Sequence, residues 1–349
     1  MIKRRASRII RVGNVEIGGT GPVIVQSMTK TDTRDISATV NQVHQLEDCG
    51  CEIIRIAVPD MEAAKALAEI KKRVSIPVIA DIHFDYRLAL ESLRGGVDGL
   101  RLNPGNISDP DRIGAVVRAA KERAVPIRTG VNAGSLPKAL STEMSMVERM
   151  VEAALAQIRL LEGLDFNLIK VSLKAFDVAT TIEAYQEISQ RMSYPLHLGI
   201  TEAGLPWRGT VRSAVGLGIL LYLGIGDTIR VSLTTHDPCQ EVDSAYEILK
   251  SLALRELGPT LISCPSCGRT ETDIVVLAQR VEERLKSIQK TLKVAVMGCV
   301  VNGPGEAKDA DVGIACGKGR GVIFKQGQKL RTVEEVDFLE ALMSEIEAL

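Results

Sequence analysis

The chain has 349 residues, 45% of them hydrophobic, 25% charged and 3% aromatic, and a formal net charge of -1. That length accommodates a TIM barrel of roughly 250 residues with one further small domain. The near-neutral charge argues against bulk attraction to nucleic acid or an acidic membrane, and so few aromatic residues leave few platforms for stacking single-stranded bases.

The N-terminal stretch MIKRRASRIIRVGNVEIGG is basic but contains no apolar segment of signal-peptide length. From about Val23 to Arg255 one unit recurs: a short β-branched run, a polar turn, then an amphipathic stretch. The candidate strands are PVIVQSM from Pro22, EIIRIAV from Glu52, IPVIADIHF from Ile76 and GLRLNPGN from Gly99. They continue with PIRTGVNAG from Pro126, FNLIKVSLK from Phe166, PLHLGITEAG from Pro195 and TIRVSLTTHD from Thr228. Helical segments such as MEAAKALAEIKKRV and DRIGAVVRAAKERA lie between them. Near-continuous apolar strands alternating with helices indicate a parallel sheet covered by helices. Eight such units favour a closed (β/α)8 barrel over an open doubly wound sheet.

The longest uncharged apolar run, Ala214 to Gly226, is too short to span a bilayer and reads as a buried helix. With no export signal or anchor visible, a cytoplasmic location is expected. A Gly258-Pro259 breaker follows the eighth helix, so the barrel is assigned residues 1–257 and a second α/β domain residues 258–349. The second region carries ISCPSCGRTETD, a helix from about Ile274 to Lys290, the strand KVAVMG, the loop CVVNGPGEAKDAD and a glycine-rich end.

In a TIM barrel the C-terminal strand ends converge on one face and form the active site. Here they carry Arg55, Asp81 with His83, Arg101 with Asn103, and Arg128 with Asn132. Ser172 with Lys174, His197 with Glu202, and Arg230 with Ser232 complete the ring. A single arginine among these would be read as the partner of an acid. Four arginines and a lysine at one level point instead to a bound polyanion, and a diphosphate fits that charge better than a carboxylate. His83 and His197 stand beside carboxylates as substrate contacts, and Glu202 is the acid–base candidate in the mouth.

The second region contributes Cys264-Pro-Ser-Cys267, then Cys299 directly after a strand, and Glu306 in the loop Asn302-Gly-Pro-Gly-Glu306. Thiolates select zinc, copper(I) or iron–sulfur clusters. The spacing alone leaves a zinc knot or a redox dithiol open, although no second Cys-x-x-Cys follows to complete a zinc ribbon. Cys316 is a candidate fourth thiolate. Cys49 and Cys51 read as buried packing residues, and Cys239 falls at the start of the eighth helix. Seven cysteines without a signal peptide favour thiols, metal ligation or redox chemistry over a disulfide scaffold.

Together these segments resemble the 4-hydroxy-3-methylbut-2-enyl diphosphate synthase family of the methylerythritol phosphate route to isoprenoids. VQSMTKTDT, IADIHFD, RLNPGN, RTGVNAGSL, VSLK, HLGITEAG, RVSLT, SCPSCGRTETD and VMGCVVNGPGEAKDADVG carry the resemblance over essentially the whole chain. It implies a TIM barrel followed by a cluster domain resembling part of the sulfite and nitrite reductases. It also implies a 4Fe–4S cluster held by Cys264, Cys267 and Cys299, with Glu306 on the fourth iron as a weak, displaceable ligand. By the same resemblance, Arg55, Arg101, Asn103, Arg128, Asn132, Lys174, Arg230 and Ser232 hold the diphosphate, while His83 and Glu202 lie nearer the carbon skeleton. The implied reaction is reductive ring opening of 2-C-methyl-D-erythritol 2,4-cyclodiphosphate, with ferredoxin or flavodoxin as electron donor.

Barrel geometry adds an expectation of oligomerisation. The eighth helix runs away from the active face, and a domain of about 90 residues is only some 25 Å across. A head-to-tail homodimer lets each cluster domain cap its partner's barrel, as the family does. The competing readings are a non-redox TIM-barrel transferase with a structural zinc domain, and an electron-carrier or metal-sensing module that leaves the basic ring unexplained.

Overall fold

The computed structural model describes residues 2–83, 85–102, 109–137, 140–141, 143–299, 305 and 307–349. The chain divides into two compact units, Met1–Arg255 and Glu256–Leu349. The expected positions Asn103 and Glu306 lie outside the described residues.

The first unit opens with a hairpin of β1 (Ile10–Val12) and β2 (Val15–Ile17), in which Val12 pairs with Val15 across a Gly13-Asn14 turn. Gly13 takes a φ of +57°, which glycine adopts without the steric cost of a side chain. Ile10, Val12 and Ile17 bury against Ile24, Ile53 and Ile79 and so fill one end of the barrel. The basic N-terminal stretch therefore contains a plug that the charge pattern obscured.

Eight parallel strands follow: β3 (Ile24–Met28), β4 (Ile53–Ala57), β5 (Val78–Ile82), β6 (Gly99–Leu102), β7 (Ile127–Asn132), β8 (Ile169–Lys174), β9 (His197–Leu198) and β10 (Thr228–Ile229). They are hydrogen-bonded in the order β8-β7-β6-β5-β4-β3-β10-β9. A parallel bridge between Val171 and Leu196 brings β8 beside β9 and nearly closes the barrel. This is the (β/α)8 architecture expected from the alternating pattern.

The outer layer is α1 (Ile36–Asp48), α2 (Met61–Arg73), α3 (Tyr86–Arg94), α4 (Pro110–Glu122), α5 (Met146–Gly163), α6 (Val178–Arg191), α7 (Pro206–Tyr222) and α8 (Cys239–Ser251). The first six start on Asp35, Asp60, Asp85, Asp109, Ser145 and Asp177, whose side chains each accept a first-turn N–H. Such caps fix where each loop ends and each helix begins, at about 1 kcal/mol apiece. Cys239 opens α8, as its position implied, but it is bonded to Cys49 in a disulfide spanning 190 residues. Cys49 is thus a cross-link rather than a simple packing residue, whereas Cys51 is a buried free thiol.

The run Ala214 to Gly226 forms most of α7 and the turn after it, but it is not buried all round. Gly216, Leu217 and Leu220 face inward, while Val215, Ile219, Tyr222 and Leu223 are exposed, continuing a line from Trp207 and Val211. Among the described residues, no helix is long and apolar enough to cross a membrane.

The second unit is a five-stranded sheet in the order β11 (Thr260–Ser263), β12 (Lys293–Met297), β13 (Val312–Cys316), β14 (Arg320–Lys325) and β15 (Gln328–Glu334). The first three strands run parallel and the last two antiparallel. The helix expected to reach Lys290 is α9 (Ile274–Leu285). Its apolar stripe and that of the final helix, Phe338–Glu347, pack against Val294, Val296, Val312 and Ile314. The glycine-rich end is therefore ordered structure, with its glycines at close approaches and turns between strands.

Candidate functional site

Side chains two residues apart on a strand share a face. In β8 this sets Lys170, Ser172 and Lys174 on the inner wall, and in β7 it sets Arg128, Gly130 and Asn132 there. The register joins Asp81 to Arg101, Arg101 to Arg128 and Arg128 to Lys170 across β5, β6, β7 and β8. Because barrel strands tilt, such a row does not stay at one height. The basic groups thus line the interior at several depths, with Arg128 near the start of its strand and Lys174 at the end of its own.

Two glycines make room for this ring. A Cβ on Gly130 would stand 2.7 Å from Ser172 Oγ, and one on Gly199 would stand 2.7 Å from Lys174 Nζ. Arg128 donates to Ser172 Oγ at 3.0 Å. Arg55 lies 3.4 Å and Arg101 3.2 Å from the Asp81 carboxylate, and Arg55 also donates to Met28 Sδ at 2.8 Å. Arg230 is 3.8 Å from Glu241, whose other oxygen is 3.2 Å from Lys30. The ordinary pairing of arginine with acid is therefore partly present. It stops short of Arg128, Lys170 and Lys174, which form no ion pair among the described residues.

The electrostatics follow from this imbalance. Burial alone would raise the Asp81 carboxyl, but Arg55, Arg101 and Arg128 outweigh it and hold it below the usual carboxylate range. Burial pulls Arg55 down to about 10 against the opposing pull of Asp81, with Arg230 and Arg101 adding to the fall. Arg128 and Lys174 are driven well below their ordinary values, first by burial and then by neighbouring cations. An anion entering the barrel would meet these groups already desolvated, where charge-assisted bonds are strongest.

His197 is fully buried, with Nδ1 2.8 Å from Thr228 Oγ1. Burial, followed by Lys174 and Arg128, pushes its imidazole well below the usual value and keeps it neutral. His83 lies 3.7 Å from Asp81 and is also lowered, chiefly by burial, with Asp81 opposing. Glu202 is exposed in the loop after β9 at φ +54°, a left-handed conformation that non-glycine residues seldom take. Asn132 is exposed at the end of β7, and Ser232 is half-buried beyond β10. Lys170, Gln26 and Thr228 were missed as interior polar groups. Lys170 stands two residues before Ser172, so strand periodicity already placed it on the inner face.

In the second unit, β11 and β12 pair in parallel with Ser263 opposite Val296. Cys264 and Cys299 follow the C-terminal ends of these neighbouring parallel strands, and Gly298 donates its N–H to Cys264 Sγ at 3.1 Å. Cys267 is exposed in the turn closed by Thr270, whose N–H donates to the Cys267 carbonyl at 2.9 Å. Among the described residues, no group of three or more His, Cys, Asp or Glu is assembled as a metal site. The donor set nonetheless fits a soft centre: thiols beyond the same ends of two neighbouring strands, one of them receiving a backbone N–H. Cys316 does not fit. It is buried in β13, and burial, with Glu335 and Cys264 adding, raises its thiol to about 12.

Fold and site define a (β/α)8-barrel protein with a basic interior and a separate thiol-bearing sheet domain. The chain belongs to the GcpE family: residues 7–246 match the GcpE TIM-barrel domain and residues 260–348 the GcpE protein C-terminal domain. It is 64% identical over 349 residues to 4-hydroxy-3-methylbut-2-en-1-yl diphosphate synthase (flavodoxin) of Dehalococcoides mccartyi strain CBDB1, covering 100% of both chains. The like-named protein of Thermodesulfovibrio yellowstonii is 58% identical, with 99% of each chain covered. Among solved structures, dihydropteroate synthase from Stenotrophomonas maltophilia aligns at TM-score 0.54 and 14% identity, over 71% of this chain and 98% of that one. A 3-dehydroquinate dehydratase from Geobacillus kaustophilus aligns at TM-score 0.51 and 18% identity, over 72% and 98%. These two likenesses concern the barrel fold alone.

Proposed function

We propose that this chain is an oxidoreductase of isoprenoid biosynthesis that converts 2-C-methyl-D-erythritol 2,4-cyclodiphosphate to 4-hydroxy-3-methylbut-2-enyl diphosphate. The observation that carries this reading is the buried cationic interior of the barrel, in a chain whose full-length relatives bear the name of that synthase. Two electrons and two protons enter, the ring C–O bond opens, and one oxygen leaves as water.

Arg55, Arg101, Arg128, Lys174 and Arg230, with Asn103, Asn132 and Ser232, would grip the diphosphate and orient the ring. Desolvated donors fixed on strands lose little freedom when the substrate arrives, which favours a single reactive pose. His83 and Glu202 would stand nearer the carbon skeleton, with Glu202 holding or moving a proton at its carboxylate. Cys264, Cys267 and Cys299, with Glu306, would hold a 4Fe–4S cluster. When bound, that cluster supplies electrons and a Lewis-acidic iron.

Flavodoxin, named in the relatives' descriptions, is the proposed electron donor, with ferredoxin the alternative. We further propose a cytoplasmic homodimer in which each cluster domain caps its partner's barrel. The exposed line Trp207, Val211, Val215 and Ile219 on α7 supports a covering partner, because a contiguous exposed apolar stripe marks an interaction surface. A second copy packed antiparallel on α7 would set the exposed Arg208 near the partner helix's C-terminal carbonyls, a favourable arrangement.

Iron, acid-labile sulfide and zinc measured on anaerobically purified protein test the redox reading. About four iron and four sulfide per chain are expected for a 4Fe–4S centre, with turnover of the cyclodiphosphate under a reduced flavodoxin. Stoichiometric zinc without sulfide would overturn it in favour of a non-redox barrel transferase.

A further inference from the structure

A second polar layer continues down the barrel from the basic ring and shares Arg128 with it, since Arg128 and Lys170 are register partners. Lys170 precedes Lys174 by four residues on the inner face of β8, about 13 Å further down the strand. Only 2% of Lys170 is exposed, and its Nζ has no hydrogen-bond partner among the described residues. Nε2 of His197, both amide atoms of Gln26 and Nε of Arg128 are likewise buried without partners there. These groups come from β3, β7, β8 and β9, so unsatisfied polar atoms are shared among several barrel strands.

The charges acting directly on Lys170 are its register partner Arg128 on β7, Arg55 on β4 and Asp227 just before β10, and Lys170 in turn acts on His197 of β9. Arg55 links these to Asp81, Arg101 and Arg230, and Arg128 links them to Lys174 further along β8. The acids among them are engaged elsewhere. Asp81 serves Arg55 and Arg101, while Asp227 takes Arg4 at 3.0 Å, Ser7 Oγ at 2.8 Å and the Leu196 N–H at 2.8 Å. A lysine serving only to pack would be better replaced by an apolar side chain of similar length, because an unpaired buried ammonium is costly.

We propose that Lys170 is a positioning residue of the anion site, taking up a proton as a diphosphate settles on the ring and releasing it when the ligand leaves. The proposal rests on the diphosphate reading given above. Arginine stays charged under these conditions, so in an empty, self-repelling ring the lysines are the groups able to shed a proton. Burial, with Arg128 adding, brings Lys170 down to about 7 against the pull of Asp227, near the working range. A diphosphate reverses the local field and favours the ammonium, which then strengthens the hold on the ligand. The net charge of the cavity thereby follows its occupancy.

The test is calorimetric binding of inorganic pyrophosphate to the anaerobically purified full chain at pH 7.5, in two buffers of different ionisation enthalpy. Lys170→Met should take up fewer protons than the wild type, by about half a proton or more, and bind about tenfold more weakly. The ligand-free variant should melt no lower than the wild type, a result that loss of a structural contact would not give. Equal proton counts and affinities in the two proteins would overturn the role of Lys170 while leaving the diphosphate site standing. No pyrophosphate binding by the wild type would remove both. Should Lys170→Met fail to fold, Lys170→Gln gives the same comparison, and in either case the difference between wild type and variant cancels any proton that pyrophosphate itself releases on binding.

Discussion

Asp81 and Arg101 are Cα partners across β5 and β6, and their side chains meet at 3.2 Å inside the barrel. The same carboxylate also answers Arg55 at 3.4 Å, so one acid balances two guanidinium groups on neighbouring strands. This shared pairing holds the ring together without a ligand and leaves Arg128 and Lys174 uncompensated.

Asp81→Asn should therefore destabilise the protein by roughly 3–5 kcal/mol at neutral pH, the usual consequence of removing one partner from a buried ion pair. The sign of the pH effect is set by its lowered carboxyl. The contribution is present above the unfolded value of about 4 and is lost as pH falls through the lower folded value. Thermal melts from pH 3 to 7 should show wild type and variant converging toward acid. A constant gap across that range would contradict the assignment.

Glu306 and Glu202 should separate in their phenotypes. Glu306→Ala is expected to lower iron content and turnover together. Glu202→Gln should preserve the visible spectrum and slow turnover by about 10²–10⁴-fold, the range of a lost general acid or base. Unchanged turnover in Glu202→Gln would remove its proton-handling role.

Cysteine replacements should likewise sort by position. Alanine at Cys264, Cys267 or Cys299 should each reduce bound iron and sulfide, whereas Cys316→Ala should leave both intact and cost stability through the cavity it creates in the sheet core. Iron loss in Cys316→Ala comparable to that in Cys264→Ala would show that the buried thiol is a ligand after all.

Reduction of Cys49–Cys239 should lower stability by about 2–4 kcal/mol, as expected for a cross-link closing a long loop. Thiol counts before and after mild reduction should differ by two, and the melting temperature should fall with them. A Cys49→Ser and Cys239→Ser double variant that melts like the oxidised wild type would show that the bond contributes nothing.

Covering of α7 can be tested by Ile219→Lys, which puts a charge into the exposed apolar line. Sedimentation should show a wild-type dimer and a shift of the variant toward monomer, with activity falling alongside. A fully active wild-type monomer at low concentration would defeat the shared-site arrangement.

The alternation of buried strands and capped helices is legible in the chain's local pattern, because apolar periodicity and Asp caps are local properties. So is the inner face of each strand, since a period of two ties Lys174 to Lys170 and Asn132 to Arg128 once one is placed. Cys264-Pro-Ser-Cys267 was likewise visible as a thiol pair, its chemistry being carried by adjacent residues. Tertiary structure alone decided the depth at which each charge sits. Depth depends on strand tilt and on the register of chain segments far apart in sequence, and neither leaves a trace in local pattern. The same holds for Cys49 and Cys239, for the β1–β2 hairpin packed against Ile24, Ile53 and Ile79, and for the outer face of α7. Each is fixed by which distant surface the closed barrel brings near, or fails to bring near, a segment whose own composition admits either environment.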